Sequence, residues 1–434
     1  MPLTKEWGIY VYFAADVPSV AMQKGAWRAL KTLASVGSSE EVGITALIDL
    51  PNRDTDYYLI PKKPIDRSVR KWPVLPDRFL PNVDSANIDT IYEFFEWSHR
   101  NCPAKNVALV FWGHGYALDD FDPRIQGSGS FTTTDQEDDS VGRSFVRSAK
   151  SFPGKPGQEL KLLYDSTHNS VLNNRDFAEA LRGFNARFRD GEKLQILGLD
   201  CCNMAMAEVL CELQDCAECL VAAETELPFQ SWLSAPALGK LLDQAKTLNA
   251  QDFAKLAVDD FIGEFGKTTD AYVGLSACNL QIFKDLEVKA KELATALSKA
   301  IDEPANRTAI RNAWFSDVSF IMDGLIDLSS FCGFLRRYMP ETSVAAAAIE
   351  VQKATEKVVF HSRTAPETRG RRISFAKGLS IWFPPWIQYS SVDYFQIQQS
   401  KDYLSNGYPQ TRFAQATGWD KFLRKLFSLT QGYL

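Results

Sequence analysis

Histidine is scarce in this chain: 434 residues contain only four, namely His99, His114, His168 and His361. Any mechanism that uses an imidazole must therefore use one of these. The sequence also lacks an apolar run of the roughly 18 residues needed to cross a bilayer, so we expect no membrane span. It has no basic block, and 48 basic against 54 acidic residues give a net charge of −6. This balance argues against a general nucleic-acid-binding protein.

The composition is otherwise that of an ordinary globular protein. Hydrophobic residues make up 45% of the chain and charged residues 24%, which excludes wholesale disorder and a collagen-like architecture. We find no internal repeat. A chain of 434 residues can bury a large core without disulfide bonds, and its length alone suggests about two or three domains.

The cysteines cluster unevenly, and we expect most of them to be reduced. There are eight: Cys102, Cys201, Cys202, Cys211, Cys216, Cys219, Cys278 and Cys332. Reduced thiols favour a cytoplasmic location. The N-terminal segment has a short apolar stretch interrupted by Tyr and Asp, so it is typical of a first β-strand rather than a signal peptide. A secreted protein whose leader has been removed would look the same, so a secreted location stays open.

Cys216 and Cys219 form a CxxC motif, with Cys211 nearby, which raises a zinc or redox site as an alternative. Structural zinc normally requires a second ligand pair roughly 12–20 residues away, often with histidine. No histidine falls between His168 and His361. We therefore interpret these cysteines as small buried side chains and predict no metal site there.

Strand and helix patterns alternate over the first 280 residues. Helical spacing is found at 20–33 and 87–101, and apolar runs predict buried strands at 8–14, 42–50, 107–112 and 194–199. Apolar strands separated by helices are typical of a parallel sheet covered on both faces. The sequence therefore predicts an α/β fold, a three-layer α/β/α sandwich with a mostly parallel sheet and right-handed crossovers.

Two features divide the chain further. A segment at about 115–173, rich in Gly, Ser, Asp and Lys, predicts a long insertion that is functional or mobile. Beyond residue 280 the pattern becomes helical, with one late strand at about 378–384. We predict one domain over 1–300 that carries the insertion. A largely helical C-terminal region, 301–434, packs on the sheet and contributes the late strand.

Chemically active residues follow two of the predicted strands. The strand at 107–112 runs into Gly113, His114 and Gly115, and the strand at 194–199 runs into Asp200, Cys201 and Cys202. Sites in open α/β sheets form beyond the carboxyl ends of strands, so neighbouring strands would bring His114 and Cys202 into one crevice. A thiolate is a nucleophile, and an adjacent imidazole lowers its pKa and later protonates the leaving amine.

The glycines that flank the histidine allow the main chain to approach a substrate closely, and the Gly115 N–H is a candidate oxyanion donor. Judged by spacing alone, each motif also has a structural interpretation. A cysteine at a strand end can be a small core residue, and a Gly-His-Gly sequence can be a simple turn. The other three histidines, His99, His168 and His361, lie at a helix end, in a polar loop and in a basic stretch. We interpret those three as solvated structural residues.

The combination of GHG after one buried strand and DCCNM after the next resembles the clostripain family of cysteine peptidases, which are related to caspases, gingipains and legumains. Further segments are similar to the family in the same order: WGIYVYFAADV at the start, CLVAAETELPFQSW from Cys219, VGLSACNL from Val273 and GLSIWFP at 378–384. The resemblance covers most of residues 7–300 and one late strand. It implies a caspase-like fold.

The resemblance also implies an activity: a cysteine endopeptidase that cleaves peptides or proteins after Arg or Lys through an acyl-enzyme. His114 matches the catalytic histidine, Cys202 the nucleophile and Asp200 the acidic residue at the base of the specificity pocket. The family motif is Asp-Ala-Cys, so Cys201 replaces an alanine and leaves open which thiol attacks. Alternation of side chains near a strand end favours Cys202. Glu224 and Glu226, after the next strand, are candidates for the pocket rim.

Three further expectations concern regulation and cofactors. Family members can be activated by self-cleavage after a basic residue between the two motifs, and the insertion offers Arg143, Arg147, Lys150 and Lys155. We expect no required cofactor. Calcium dependence occurs in part of the family and stays open, because the available oxygen ligands lack a defined calcium-loop spacing; they are Asp119, Asp120, Asp122 and the acidic run at 135–139.

The alternative function is a caspase-fold binding or regulatory protein with weak or no catalytic activity. The presence of both His114 and Cys202 argues against it, while the Cys201–Cys202 doublet keeps it open. The sequence makes no prediction of the oligomeric state.

Overall fold

The computed structural model describes residues 4–62, 76–117, 161–265, 273–317, 319–321, 324–365, 376–387 and 394–430. Strands are numbered in chain order: β1 (Lys5–Ala14), β2 (Val42–Asp49), β3 (Thr55–Leu59), β4 (Arg78–Leu80), β5 (Ala104–Trp112), β6 (Gly115–Ala117), β7 (Lys161–Asp165), β8 (Ser170–Asn173), β9 (Leu194–Asp200), β10 (Ala217–Ala222), β11 (Gly274–Asn279), β12 (Ser319–Ile321), β13 (Leu325–Asp327), β14 (Val359–Thr364) and β15 (Ser380–Trp382).

The helices are numbered in the same way: α1 (Val20–Val36), α2 (Ile88–Asn101), α3 (Asn174–Phe188), α4 (Ala207–Leu213), α5 (Ala235–Gln244), α6 (Ala250–Phe265), α7 (Phe283–Ala300), α8 (Pro304–Ser316), α9 (Leu328–Tyr338), α10 (Ser343–Val358), α11 (Tyr394–Asn406), α12 (Arg412–Thr417) and α13 (Trp419–Thr430). Short 3₁₀ turns occupy Leu280–Ile282 and Tyr408–Gln410. Among the described helices, none is long and apolar enough to cross a membrane.

A central sheet organises the described residues. Its strand order is β14-β11-β10-β9-β5-β1-β2-β3-β4. The strands from β10 through β9, β5 and β1 to β2 are parallel, and the strands outside them pair antiparallel. Every residue of β2 is buried, which is the pattern of a strand covered on both faces. The predicted mostly parallel sheet is confirmed.

Helices cover both faces of this sheet. Face A packs against α1, α5 and α6, through residues such as Met22, Leu238 and Phe253. Face B packs against α2, α3 and α4, through residues such as Phe94 and Phe177, and the core on this face continues into the C-terminal helices. Both sets of side chains are buried. The result is the predicted three-layer α/β/α arrangement, with strand ends that are held rigidly from both sides.

The predicted insertion at 115–173 begins and ends in a small antiparallel sheet of order β6-β7-β8. Strand β6 ends at Ala117, and β7 begins at Lys161 and pairs with it. The insertion therefore leaves and rejoins the fold beside His114. Residues 118–160 lie outside the described part of the chain, and with them lie the predicted cleavage residues and the acidic residues considered for calcium: Arg143, Arg147, Lys150, Lys155, Asp119, Asp120, Asp122 and 135–139.

The C-terminal region contributes strands to two sheets. The late strand, β15, pairs with β13 in a separate sheet of order β12-β13-β15, so it does not join the central sheet. Ser380 nevertheless forms an isolated bridge to Met206, and its N–H donates to the Ala205 carbonyl at 2.9 Å. Strand β14, which falls in the region that the sequence predicted as largely helical, lies at the edge of the central sheet.

Candidate active site

The register of the sheet places the two predicted motifs side by side. Strands β5 and β9 are parallel neighbours, and Trp112 pairs with Asp200 at their carboxyl ends. The Gly113 N–H donates to the Asp200 carbonyl at 3.4 Å. His114 and Cys202 each lie two residues beyond the Trp112–Asp200 pair. The two strand ends are thus in register to within one residue position.

Gly115 makes the closest approach between the two strand ends. A Cβ atom at this position would lie 2.1 Å from the Cys202 carbonyl oxygen and 2.9 Å from the Cys202 nitrogen. Such distances are far inside van der Waals contact, so the local backbone requires glycine. The glycine after His114 therefore lets the His114 loop pack directly on the peptide of Cys202.

The adjacent cysteines point to opposite faces of the sheet. Cys201 packs in the core of face B, where its Sγ lies 3.7 Å from the Phe111 carbonyl oxygen. Cys202 lies on face A, and its Sγ accepts the Leu227 N–H at 3.2 Å. Asp200 is on the same face as Cys202, because its Oδ2 accepts the Trp232 N–H at 3.3 Å. The alternation expected from the sequence is present, with Cys202 and Asp200 on one side and Cys201 on the other.

A single stretch of chain, the covering segment (residues 225–232), lies over Cys202 and Asp200. It begins beside the residues that follow Cys202, where the Asn203 N–H donates to the Thr225 carbonyl at 3.0 Å. It leaves across β9, where Gly198 makes room for the Trp232 ring; a Cβ there would lie 2.3 Å from the ring. Cys202 and Asp200 are 0% exposed, and His114 is 7% exposed. In this conformation the covering segment therefore shields the Cys202 thiol and the Asp200 carboxylate from solvent.

Glu224 does not join the predicted pocket. Its neighbour Ala223 packs on face A, whereas the Glu224 side chain turns to face B, where its Oε1 accepts the Gly378 N–H at 3.1 Å. It also shares a hydrogen bond with Asp327, and it is 1% exposed. Burial and the Asp327 charge raise the pKa of Glu224 well above its usual range. The expectation of a role at the pocket rim is corrected to a buried carboxyl pair. Glu226 is partly exposed within the covering segment.

The other three histidines have structural partners. His99 lies in the last turn of α2, half-buried against Phe184 and Phe188, and burial lowers its pKa, so it is less solvated than the sequence suggested. His168 Nδ1 lies 3.0 Å from an oxygen of Asp165. His361 Nε2 lies 2.9 Å from an oxygen of Asp259. Only His114, of the four, stands at the carboxyl end of the strand next to the cysteine doublet.

The cysteines of the CxxC motif are separated by the sheet. Cys216 packs on face B and Cys219 on face A. Burial raises the pKa of each of these thiols to about 12. Each of the eight cysteines is a buried thiol outside any disulfide. Two thiols on opposite faces cannot ligate one ion, which favours the interpretation of Cys216 and Cys219 as core residues.

The sequence family and the fold of the chain both match known proteins. A sequence model of the clostripain family matches residues 155–426, well over half of the chain. No curated protein matches the chain significantly.

Solved structures match over almost the full length. The secreted C11 cysteine protease "iotapain" of Bacteroides thetaiotaomicron is 13% identical, with a TM-score of 0.64, over 96% of this chain and 100% of that chain. A secreted C11 cysteine protease of Bacteroides thetaiotaomicron in complex with an irreversible peptide inhibitor gives 13% identity and a TM-score of 0.60, over 96% of this chain and 99% of that chain. An inactive zymogen C11 protease of Parabacteroides distasonis gives 13% identity and a TM-score of 0.62, over 96% of this chain and 99% of that chain. At this identity the likeness shows a shared fold, and it confirms the predicted caspase-like architecture.

Proposed function

Since the chain belongs to the clostripain family and is a cysteine peptidase, we propose that it is an endopeptidase that cleaves after Arg or Lys through a His114–Cys202 dyad. The observation that carries this proposal is the register of β5 and β9, which sets both residues two positions beyond one strand pair. The orientation of Cys202 and Asp200 toward the same face supports it. Cys201, on the opposite face, is assigned to the core.

In the proposed reaction the Cys202 thiolate attacks the carbonyl carbon of the scissile bond, and the carbonyl electron pair moves to oxygen. Collapse of this intermediate breaks the C–N bond, and protonated His114 gives its proton to the leaving amine. A thioester between Cys202 and the acyl half of the substrate remains. His114 then takes a proton from water as the water oxygen attacks the thioester, which releases the carboxylic acid product and the thiolate.

The main-chain N–H groups of Gly115 and Cys202 are the proposed donors to the oxyanion. Their backbones pack directly on each other, as the short Cβ distance at Gly115 shows, so the two donors belong to one rigid unit. Preorganised donors of this kind stabilise charge that develops in the transition state. The Leu227 N–H, at 3.2 Å from Sγ, supplies a further donor to the resting sulfur.

Asp200 is the proposed recognition group for the basic side chain of the substrate. Its carboxylate is fully buried, so a guanidinium or ammonium group that reaches it forms a charge-assisted bond shielded from water. The Trp232 N–H now donates to this carboxylate. A substrate cation would therefore compete with the covering segment, and Glu226, on that segment, stays a candidate for the rim.

The buried thiol leads to a proposal about activation. Because the covering segment closes over Cys202 and Asp200, we infer that this conformation is a closed form, as in a zymogen. Cleavage after Arg143, Arg147, Lys150 or Lys155 would release the insertion next to His114. Mass spectrometry of the wild type and of Cys202→Ala checks this: a cut in the wild type alone supports self-cleavage, and an intact wild-type chain after long incubation contradicts it.

A fluorogenic peptide assay tests the dyad. We expect the wild type to hydrolyse Arg and Lys peptides, and Cys202→Ala and His114→Ala to lose about 10³-fold or more in kcat/KM. Cys201→Ala is the matched control and should keep activity within about threefold, because its thiol lies on the other face. Asp200→Asn should raise KM for basic peptides. A wild type that is inert on basic, acidic and apolar peptides, or loss of activity in Cys201→Ala alone, would contradict the mechanism.

A further inference from the structure

The Cys202 loop (residues 201–206) connects β9 to α4 and contains a residue with an unfavourable backbone. Asn203, directly after Cys202, has a left-handed conformation with φ of 57°. It is also buried, at 2% exposure. A residue other than glycine keeps such a backbone only where the surrounding structure holds it, and such residues cluster at functional sites. The bonds that hold this loop therefore bear on the orientation of Cys202.

Two of these bonds come from the predicted sheet domain (residues 1–300). The Asn203 N–H donates to the Thr225 carbonyl at 3.0 Å, and the Ala205 N–H donates to the Ala223 carbonyl at 2.8 Å. Both acceptors follow β10, which is the strand next to β9. These bonds engage two N–H groups of the loop. The Ala205 carbonyl is bound by a different part of the chain.

That partner is the anchor segment (residues 378–382), which contains β15 of the C-terminal region. The Ser380 N–H donates to the Ala205 carbonyl at 2.9 Å, and the Ser380 hydroxyl donates to the same oxygen at 3.1 Å. Ser380 also forms an isolated bridge with Met206. Ser380 and Ala205 are 0% exposed, so these bonds are shielded from water. Ser380 thus binds the loop three residues after the proposed nucleophile.

The backbone of the anchor segment connects two parts of the molecule. Its N–H groups at Gly378, Ser380 and Trp382, every second residue, all donate to the sheet domain. The Gly378 N–H donates to Glu224 Oε1, and the Trp382 N–H donates to Glu208 Oε1, each at 3.1 Å. The other edge of β15 pairs with β13. Because β15 is held on both edges, it is a rigid support for the Cys202 loop.

Glu208 extends this attachment into the first turn of α4. Its side chain is buried at 1% exposure, and burial raises its pKa to about 7. Besides the Trp382 N–H, its Oε1 accepts the Tyr408 hydroxyl at 2.7 Å. Both donors belong to the C-terminal region. The end of the Cys202 loop and the start of α4 are therefore bound by the same region of the chain.

We propose that Ser380 is a positioning residue for the peptidase reaction, because it holds the Cys202 loop through the Ala205 carbonyl. This inference rests on the proposed function, in which Cys202 is the nucleophile. The sulfur has to meet the substrate carbonyl carbon at about 3–3.5 Å, and a displacement of about 1 Å lowers the rate of attack strongly. The C-terminal region then contributes to catalysis without touching the substrate.

Kinetics of Ser380→Ala test this role. The variant loses one of two hydrogen bonds to the Ala205 carbonyl, so we expect kcat on an Arg peptide to fall roughly three- to tenfold, with KM within about twofold of the wild type. Thr355→Val is the matched control, because it removes a buried hydroxyl that donates to the Val351 carbonyl at 2.9 Å in α10. It should keep the wild-type kcat. Thermal unfolding should show similar small shifts for both variants.

Hydrogen exchange tests the restraint on the loop without any peptidase activity. It is measured by mass spectrometry on full-length Cys202→Ala protein, with and without Ser380→Ala. We expect the amides of residues 203–206 to exchange at least about threefold faster when the Ser380 hydroxyl is absent, since one bond that holds the loop is lost. Thr355→Val in the same background should leave this exchange unchanged.

A conservative variant of Glu208 supplies a rescue experiment. Glu208→Gln keeps an oxygen that can accept both the Trp382 N–H and the Tyr408 hydroxyl, so its kcat should stay within about twofold of the wild type. Glu208→Ala removes this acceptor and should lower kcat by at least about tenfold. Equal kcat values for the two variants would contradict a role of this contact in positioning α4 and the loop.

The remaining outcomes separate the two proposals. Unchanged kcat in Ser380→Ala, or a loss equal to that in Thr355→Val, overturns the positioning role even where the loop exchanges faster. Unchanged exchange in Ser380→Ala overturns the restraint itself. A wild type that is inert on peptides, combined with faster exchange in Ser380→Ala, refutes the proposed function and with it any catalytic role of Ser380, while the restraint on the loop stands.

Discussion

Gly115 has no side chain, and this allows the His114 loop to pack on the Cys202 peptide. A Cβ at Gly115 would lie 2.1 Å from the Cys202 carbonyl oxygen. We expect Gly115→Ala to lower the free energy of unfolding by about 1–3 kcal/mol, through overpacking. It should also lower kcat/KM on basic peptides by at least about tenfold, because the His114 loop must move away from Cys202. Urea unfolding and the peptide assay measure both effects.

Gly239 supplies the matched control for this substitution. It lies inside α5, and a Cβ at that position meets nothing within 4 Å. Gly239→Ala should therefore keep full activity and stabilise the chain by roughly 0.5–1 kcal/mol, the usual gain for alanine over glycine in a helix. Equal activity of the Gly115 and Gly239 variants would show that the close approach at Cys202 has no part in catalysis.

Single residues also show how far sequence reasoning can go. His114 and Cys202 were predicted as neighbours because each follows an apolar strand, and the register confirms that the strands are adjacent. The contact that covers Cys202 carries no such signal: the Leu227 N–H that donates to its sulfur lies 25 positions later in the chain, and only the fold brings the two together.

At the scale of elements, the buried pair of Glu224 and Asp327 ties the end of β10 to β13 and α9. Burial, as the largest cause, raises the pKa of Asp327 to about 6 and that of Glu224 well above its usual range. Both groups bind protons more tightly in the folded chain, so they favour folding fully below about pH 4, and the Asp327 contribution is lost as the pH rises through about 6. For Asp327 alone the loss is roughly 3 kcal/mol.

Replacing Glu224 by glutamine should flatten this pH profile. The amide can donate to Asp327 and still accept the Gly378 N–H, while it removes one of two buried ionisable groups. The free energy of unfolding of the wild type should decrease between pH 4 and pH 8. We expect the decrease for Glu224→Gln over the same range to be smaller by at least about 2 kcal/mol. Glu226→Gln, the same change two residues away, should keep the wild-type profile. Parallel profiles for all three proteins would refute the assignment.

The sequence predicts buried central strands better than strands at the edge of the sheet, because burial on both faces leaves a continuous apolar run. The strands β5 and β9 are apolar on both sides, so the sequence marks them clearly. Strand β14 lies at the sheet edge and is mostly half-buried, and its polar residues continue the pattern of α10, which hid it. The Glu224 side chain turns toward face B because its partners there, Gly378 and Asp327, come from the C-terminal region, and no local pattern contains that information.

At the scale of the whole molecule, the core on face B connects both predicted regions of the chain, because it runs from Tyr10 in β1 to Phe427 in α13. Trp419 lies in the C-terminal part of this core, where its ring is 5.9 Å from that of Phe383 and its Nε1–H donates to the Trp382 carbonyl at 2.9 Å. The Trp382 N–H in turn donates to Glu208 Oε1 of α4 at 3.1 Å, which connects this part with the sheet domain. A continuous core of this kind favours cooperative unfolding over two separate transitions.

Calorimetry of Cys202→Ala protein, in which the proposed self-cleavage would be blocked, tests this cooperativity. We expect Trp419→Ala to lower the free energy of unfolding by about 3–5 kcal/mol and to shift one transition as a whole. Phe177→Ala, whose buried ring lies 4.7 Å from Phe111 on the sheet side of the same core, should shift that transition by a similar amount. If Trp419→Ala instead splits off a low-temperature transition and leaves the rest unchanged, residues 301–434 form an independent unit, and the core on face B consists of two parts that unfold separately.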